Sequence, residues 1–262
     1  MKEMPDMTTA IEIKNLTKDY KDVRAVDSLN LTIYQGELFS LLGVNGAGKT
    51  TTITMLSCVS SPTCGDAFVN GMSVKSRPTD VKKIIAVSPQ QSAIARNLSV
   101  KENLKLMCGV HGFDKEKTSR KVRESLGSFG LSQVAARKAA KLSGGWQRRL
   151  SLAMALISEP KILFLDEPTL GLDVIARSEL WDTIRELKSR MTIVLTTHYM
   201  EEAEALSDRI GIMKEGRLVF CGTAVEMKAK SGKDNIESAF IEIVKNASKG
   251  TAKEVSSKEV KA

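Results

Sequence analysis

The stretch Leu38-Phe39-Ser40-Leu41-Leu42-Gly43-Val44-Asn45-Gly46-Ala47-Gly48-Lys49-Thr50, followed by Thr51-Thr52-Ile53-Thr54-Met55-Leu56, decides the fold. Leu38 to Leu42 is an apolar run of strand length, and Thr51 to Leu56 reads as a short helix. Between them lies G-x-x-x-x-G-K-[ST], in the strand-turn-helix context this pattern needs. Glycines let a backbone curl round an anion and point N–H groups inward. A helix start adds the positive end of its dipole. Gly43, Asn45, Gly46, Ala47, Gly48 and Thr51 are therefore candidate nucleotide-binding residues. Lys49 would reach the β- and γ-phosphates, and Thr50 would offer its hydroxyl to Mg²⁺.

Upstream, Ile11-Glu12-Ile13 alternates like a strand, and Val23 to Ile33 alternates up to the turn Gln35-Gly36. Tyr20 falls in the turn between them. Its ring could stack on a nucleotide base, although a single tyrosine also reads as packing. Downstream, Gly65 to Val74 reads as strand with a turn at Asn70-Gly71, and Ile84-Ile85-Ala86-Val87 as a short buried strand. Gln90 follows in Ser88-Pro89-Gln90-Gln91. It could bring an amide near a metal and an attacking water, or be a loop glutamine. From about residue 92 to 150 the pattern becomes mostly helical. Ser99 with Glu102 three residues on marks a helix start.

Leu142-Ser143-Gly144-Gly145-Trp146-Gln147 opens a helix with Leu150, Ala153, Met154 and Ile157 on one face. Ser143, Gly144 and Gly145 form a second anion-binding helix end. One triphosphate loop and two phosphate-facing helix ends make sense if two chains pair and each completes the other's nucleotide. Ile162-Leu163-Phe164-Leu165 is a buried strand that delivers Asp166 and Glu167 to its C-terminal end. Thr192 to Thr196 is another, and it delivers His198.

Here the chain resembles the ATP-binding cassette (ABC) ATPases over about residues 10–245. Leu142 to Gln147 is similar to their signature motif, with Trp146 where Gln is frequent. Ile162 to Pro168 resembles their Walker B strand, and Thr169-Leu170-Gly171-Leu172-Asp173 their D-loop. The resemblance implies an α/β P-loop NTPase core with an antiparallel β subdomain and an inserted α-helical subdomain. It implies MgATP as ligand, with Thr50, Gln90 and Asp166 toward the metal. It makes Lys49, Gln90, Glu167 and His198 the catalytic set: Glu167 orients or deprotonates water, and His198 contacts the γ-phosphate. Tyr20 becomes the adenine-stacking residue, and Asp173 a D-loop contact across the dimer seam. Thr197 to Glu204 and Asp208 to Arg217 look like ABC-2-type exporters. The implied partners are a separate transmembrane permease and a second ATPase subunit, homo- or heteromeric, at the cytoplasmic face of the membrane. The alternative is an ABC ATPase acting on nucleic acid or ribosomes; no nucleic acid is expected.

Composition agrees with this. The 262 residues suit a single domain with a helical insertion, residues 8–245. Net charge is +8, yet residues 82–149 hold fifteen Lys/Arg against four Asp/Glu, and the remainder is slightly negative. That basic segment suits nucleic acid, an anionic membrane surface or an acidic protein surface, or else is a solvated helical face. Cys58, Cys64, Cys108 and Cys221 show no metal-ligand spacing and read as free thiols of a reducing compartment. No signal peptide or spanning helix is evident. The C-terminal helical pattern Ile236, Ala239, Phe240, Ile243, Val244 is followed from residue 246 by a Lys-rich stretch expected to be disordered.

Overall fold

The computed structural model describes residues 8–91 and 93–259, with side chains up to 248. In chain order the elements are β1 (Thr9–Tyr20), β2 (Val23–Tyr34), β3 (Leu38–Leu42), α1 (Lys49–Leu56), β4 (Cys64–Val69), β5 (Met72–Ser73), α2 (Pro78–Ile84) and β6 (Ile85–Ser88). Then come α3 (Val100–Val110), α4 (Lys115–Ser128), α5 (Gly144–Ala155), β7 (Ile162–Asp166) and α6 (Val174–Lys188). The chain continues with β8 (Thr192–Thr197), α7 (Met200–Leu206), β9 (Arg209–Lys214), β10 (Arg217–Gly222), α8 (Ala224–Ser231) and α9 (Ile236–Glu259).

Two sheets form among the described residues. The larger has the order β10-β9-β3-β8-β7-β6, parallel throughout except for β10. Its central strands β3, β7 and β8 are buried along their whole length, as their continuous apolar runs predict. Successive side chains divide between two layers. Phe39, Phe164 and Val194 pack with Ile11, Leu16, Val26 and Val69 of the smaller antiparallel sheet β2-β1-β4-β5. Leu38, Leu163, Leu165, Ile193 and Leu195 pack with α5, α6 and the helical insertion. Leu42, Ile210 and Ile212 meet α8 and α9 through Met227, Ala239, Phe240 and Ile243. All the parallel strands therefore end on one rim, where such folds place ligands.

The helical insertion begins at the expected cap. Ser99 Oγ accepts from Glu102 N, and the Glu102 carboxylate accepts from Ser99 N, satisfying two orphan donors. Two boundaries differ from expectation. Ile84 closes a short helix, α2, which Pro78 opens and Val81 alone buries, so the strand starts at Ile85. α9 continues through Asn246, Ala247 and Ser248, where the disordered stretch was expected to begin; Asn246 there donates to Glu242 at 3.0 Å and Ser248 Oγ to Val244 O at 3.2 Å. The rest of that expectation concerns residues 249–262, whose side chains lie outside the described residues.

Candidate functional site

The rim where β3, β7 and β8 end gathers the residues singled out by the sequence. The loop from Gly43 to Gly48 turns tightly into α1. Gly48 has φ 103°, and a β-carbon there would sit 2.5 Å from Ala25 O, so the site admits only glycine. Asn45 and Gly46 form the exposed tip, and Ala47 is buried beneath it. Lys49 is 5% exposed, and its Nζ donates to Gly43 O at 2.7 Å and to Val44 O at 3.3 Å. Thr50 and Thr51 lie on the first turn of α1.

β7 brings its two carboxylates to the same place. Asp166 accepts from Thr50 Oγ1 at 3.1 Å and from Thr196 Oγ1 at 2.5 Å. Glu167 adopts φ 49°, the left-handed region that costs a non-glycine residue about 1–2 kcal/mol. Its N–H donates to Thr196 Oγ1 at 3.1 Å, which helps to hold the turn. That turn aims the Glu167 carboxylate inward: Oε1 lies 3.4 Å from Lys49 Nζ, and Oε2 accepts from His198 Nδ1 at 2.5 Å. Glu167 is 7% exposed, whereas His198 is half-buried. A buried carboxylate held between a lysine and an imidazole suits a group that handles a proton beside phosphate.

Asp166 and Thr50 offer hard oxygens side by side. Mg²⁺ takes one or two protein oxygens and completes its shell with water and phosphate. The pair fits that ion; among the described residues there is no cluster of three His, Cys, Asp or Glu.

Other expected residues stand apart. Tyr20 is exposed at the end of β1, with Lys18 Nζ 5.0 Å from its ring centre. The Gln90 side chain is exposed; only its carbonyl takes part, accepting from Arg148 at 3.3 Å. Ser143 and Gly144 are exposed at the start of α5, and the Ser143 side chain makes no capping bond. Gly144 and Gly145 lie beside Leu172 and Ala176. Asp173 caps α6, accepting from Ala176 N at 2.9 Å. The sequence reading missed Arg148, a buried cation behind the site, and Glu202, a fully buried carboxyl on α7. Burial pushes the Glu202 pKa up, while Trp181 Nε1 donates to its Oε1 at 3.0 Å. A family would show Arg148 only through its spacing from Ser143; in a single sequence it reads as one more basic residue.

Residues 26–170 match the family model described as ABC transporter. The human phospholipid-transporting ATPase ABCA3 is 41% identical over 234 residues, 88% of this chain and 14% of that protein. The chain thus spans about one seventh of that relative's length. The daunorubicin/doxorubicin resistance ATP-binding protein DrrA of Streptomyces peucetius is 40% identical over 226 residues, 86% of this chain and 68% of that one. A dimeric post-hydrolysis structure of the ATP-binding cassette MJ0796, bound to ADP and Pi, superposes with TM-score 0.73 at 27% identity, covering 81% of this chain and 98% of that one.

Proposed function

This chain belongs to the ABC transporter family, and we propose that it closes as a dimer over two MgATP and drives a separate membrane-spanning permease, in the direction of export. It is an ATPase of that family. The observation that carries the mechanism is the Glu167 carboxylate, shared between Lys49 and His198. Lys49 and the loop amides hold the triphosphate. Thr50 and Asp166 would hold Mg²⁺, which offsets charge on the β- and γ-phosphates. Glu167 orients the attacking water and takes its proton. His198, tied to Glu167 through Nδ1, keeps its other ring nitrogen for the γ-phosphate. Gln90 joins the water from its exposed loop, and Tyr20 meets the adenine. These are positioning and electrostatic roles, as phosphoryl transfer requires.

The exposed Ser143-Gly144-Gly145 helix end serves the partner's nucleotide, and Asp173 lies along the seam. DrrA is named for drug resistance and ABCA3 for phospholipid transport, which supports a permease partner and an export role. No helix among the described residues is long and apolar enough to cross a membrane. The working place is then the cytoplasmic face of a membrane. The nucleic-acid alternative is not favoured. Affinity purification of the full chain from solubilised membranes tests this. Co-purification of a multi-span protein that stimulates ATP turnover is the expected result. Nucleic-acid binding that falls steeply with salt, without such a partner, would overturn it.

A further inference from the structure

We propose that Arg148 is a positioning residue for ATP hydrolysis, binding the catalytic turn after β7 and the loop after β6 to the signature helix α5 so that they keep one geometry. This rests on the ATPase reading above. Arg148 is 5% exposed, and its hydrogen bonds among the described residues go to no carboxylate. Its guanidinium donates instead to four backbone carbonyls. Nη1 reaches Pro89 O at 2.6 Å and Gln90 O at 3.3 Å, Nη2 reaches Asp166 O at 3.1 Å, and Nε reaches Pro168 O at 2.6 Å.

These acceptors lie at the ends of two adjacent strands. β6 stops at Ser88 and β7 at Asp166, so carbonyls at and just beyond their ends run out of ladder partners. Buried without donors, such groups are costly. A planar fork with five N–H donors satisfies four of them at once; an ammonium, with three donors at one point, does not. Two of the acceptors, Asp166 O and Pro168 O, bracket Glu167. That residue holds the left-handed φ and the contact to His198. Strained backbone of this kind persists only where its surroundings over-determine it. Another pair of acceptors, Pro89 and Gln90, places the loop of the candidate water-binding glutamine.

Burial lowers the Arg148 pKa to about 10, and the negative charges of Asp166 and Glu202 counter it, so the fork stays charged at neutral pH. None of its bonds goes to the phosphate loop. Its loss should therefore harm chemistry and spare nucleotide binding. Because Arg148 lies five residues after Ser143, the same fork also sets where the partner-facing helix end stands relative to Glu167.

The test uses the full chain in three forms: native, Arg148→Ala and Arg148→Lys. Native protein that fails to turn over ATP would sink the ATPase reading itself and is scored separately. If the fork positions the turn, kcat in Arg148→Ala falls about 100-fold while the Kd of a fluorescent ATP analogue changes less than about twofold. Added guanidinium restores part of the rate, and Arg148→Lys lies between the two. If Arg148→Ala does not fold, Arg148→Lys decides alone: lowered kcat with unchanged Kd supports the role. Native-like kcat in the folded variants overturns the proposal. So does a parallel loss of binding and turnover without guanidinium rescue.

Discussion

Two helices of this chain begin in glycine-bearing turns with free N–H groups, and they are finished differently. At the start of α1, Gly48 is wedged under Ala25 O, Lys49 is buried, and Thr50 meets Asp166. Its glycine, lysine and threonine are each tied into the chain's own structure. At the start of α5, Ser143 and Gly144 face outward and the serine caps nothing. Nearby, Val174 and Ile175 are each 73% exposed on the first turn of α6. In the proposed dimer the α1 end would hold the chain's own nucleotide with contacts already packed inside the chain, whereas the α5 end would close over the nucleotide of the partner.

The largest effect is expected at the α1 end, where the chemistry is carried. Lys49→Ala removes the ammonium that lies 3.4 Å from Glu167 Oε1. ATP turnover should fall by about 100-fold or more, with weaker nucleotide binding. A folded variant with native turnover would detach Lys49 from the reaction.

A sharper contrast comes from the glycines. Gly48→Ala places a methyl group 2.5 Å from a carbonyl at φ 103°, and should cost about 1–3 kcal/mol, seen as a lowered Tm. Gly144 has no such φ, and its nearest neighbour would be Leu172 at 3.5 Å. Gly144→Ala should therefore keep the native Tm yet lose ATP-dependent pairing and most turnover. Equal Tm losses in both variants would erase the distinction between a packed helix start and an open one.

The smallest effect belongs to the basic segment. Not all of its charge is free: Lys121 pairs with Glu124 and Glu159, and Arg149 with Glu179. Lys101, Lys105 and Lys115 are exposed on α3 and α4. Neutralising any one of these should weaken binding to anionic liposomes, or to the permease, by about 1 kcal/mol. Unchanged binding to both would leave the segment a solvated face.

Much of this was legible beforehand where local rules suffice. The strand before Gly43, the box of Ser99 and Glu102, and the carboxylates after β7 all follow from patterns a few residues long. α2 escaped because seven residues with one buried valine give little periodicity. Arg148 escaped for a different reason. Its partners lie 18 to 59 residues away and are carbonyls, which any residue possesses. Sequence displays a charge but not the backbone that buries it. The bond between His198 and Glu167 was equally hidden, since it joins the ends of two strands 31 residues apart.

If the α5 end is half of a site, MgATP must hold two chains together. Glu167→Gln tests it most directly, because the amide keeps the size of the side chain but cannot take water's proton, and it removes one anion from beside the triphosphate. Light scattering on this variant, with and without saturating MgATP, gives the answer. The expected result is the 28.6 kDa chain alone without nucleotide and twice that mass with it. A variant that binds MgATP and still scatters as a single chain would contradict it.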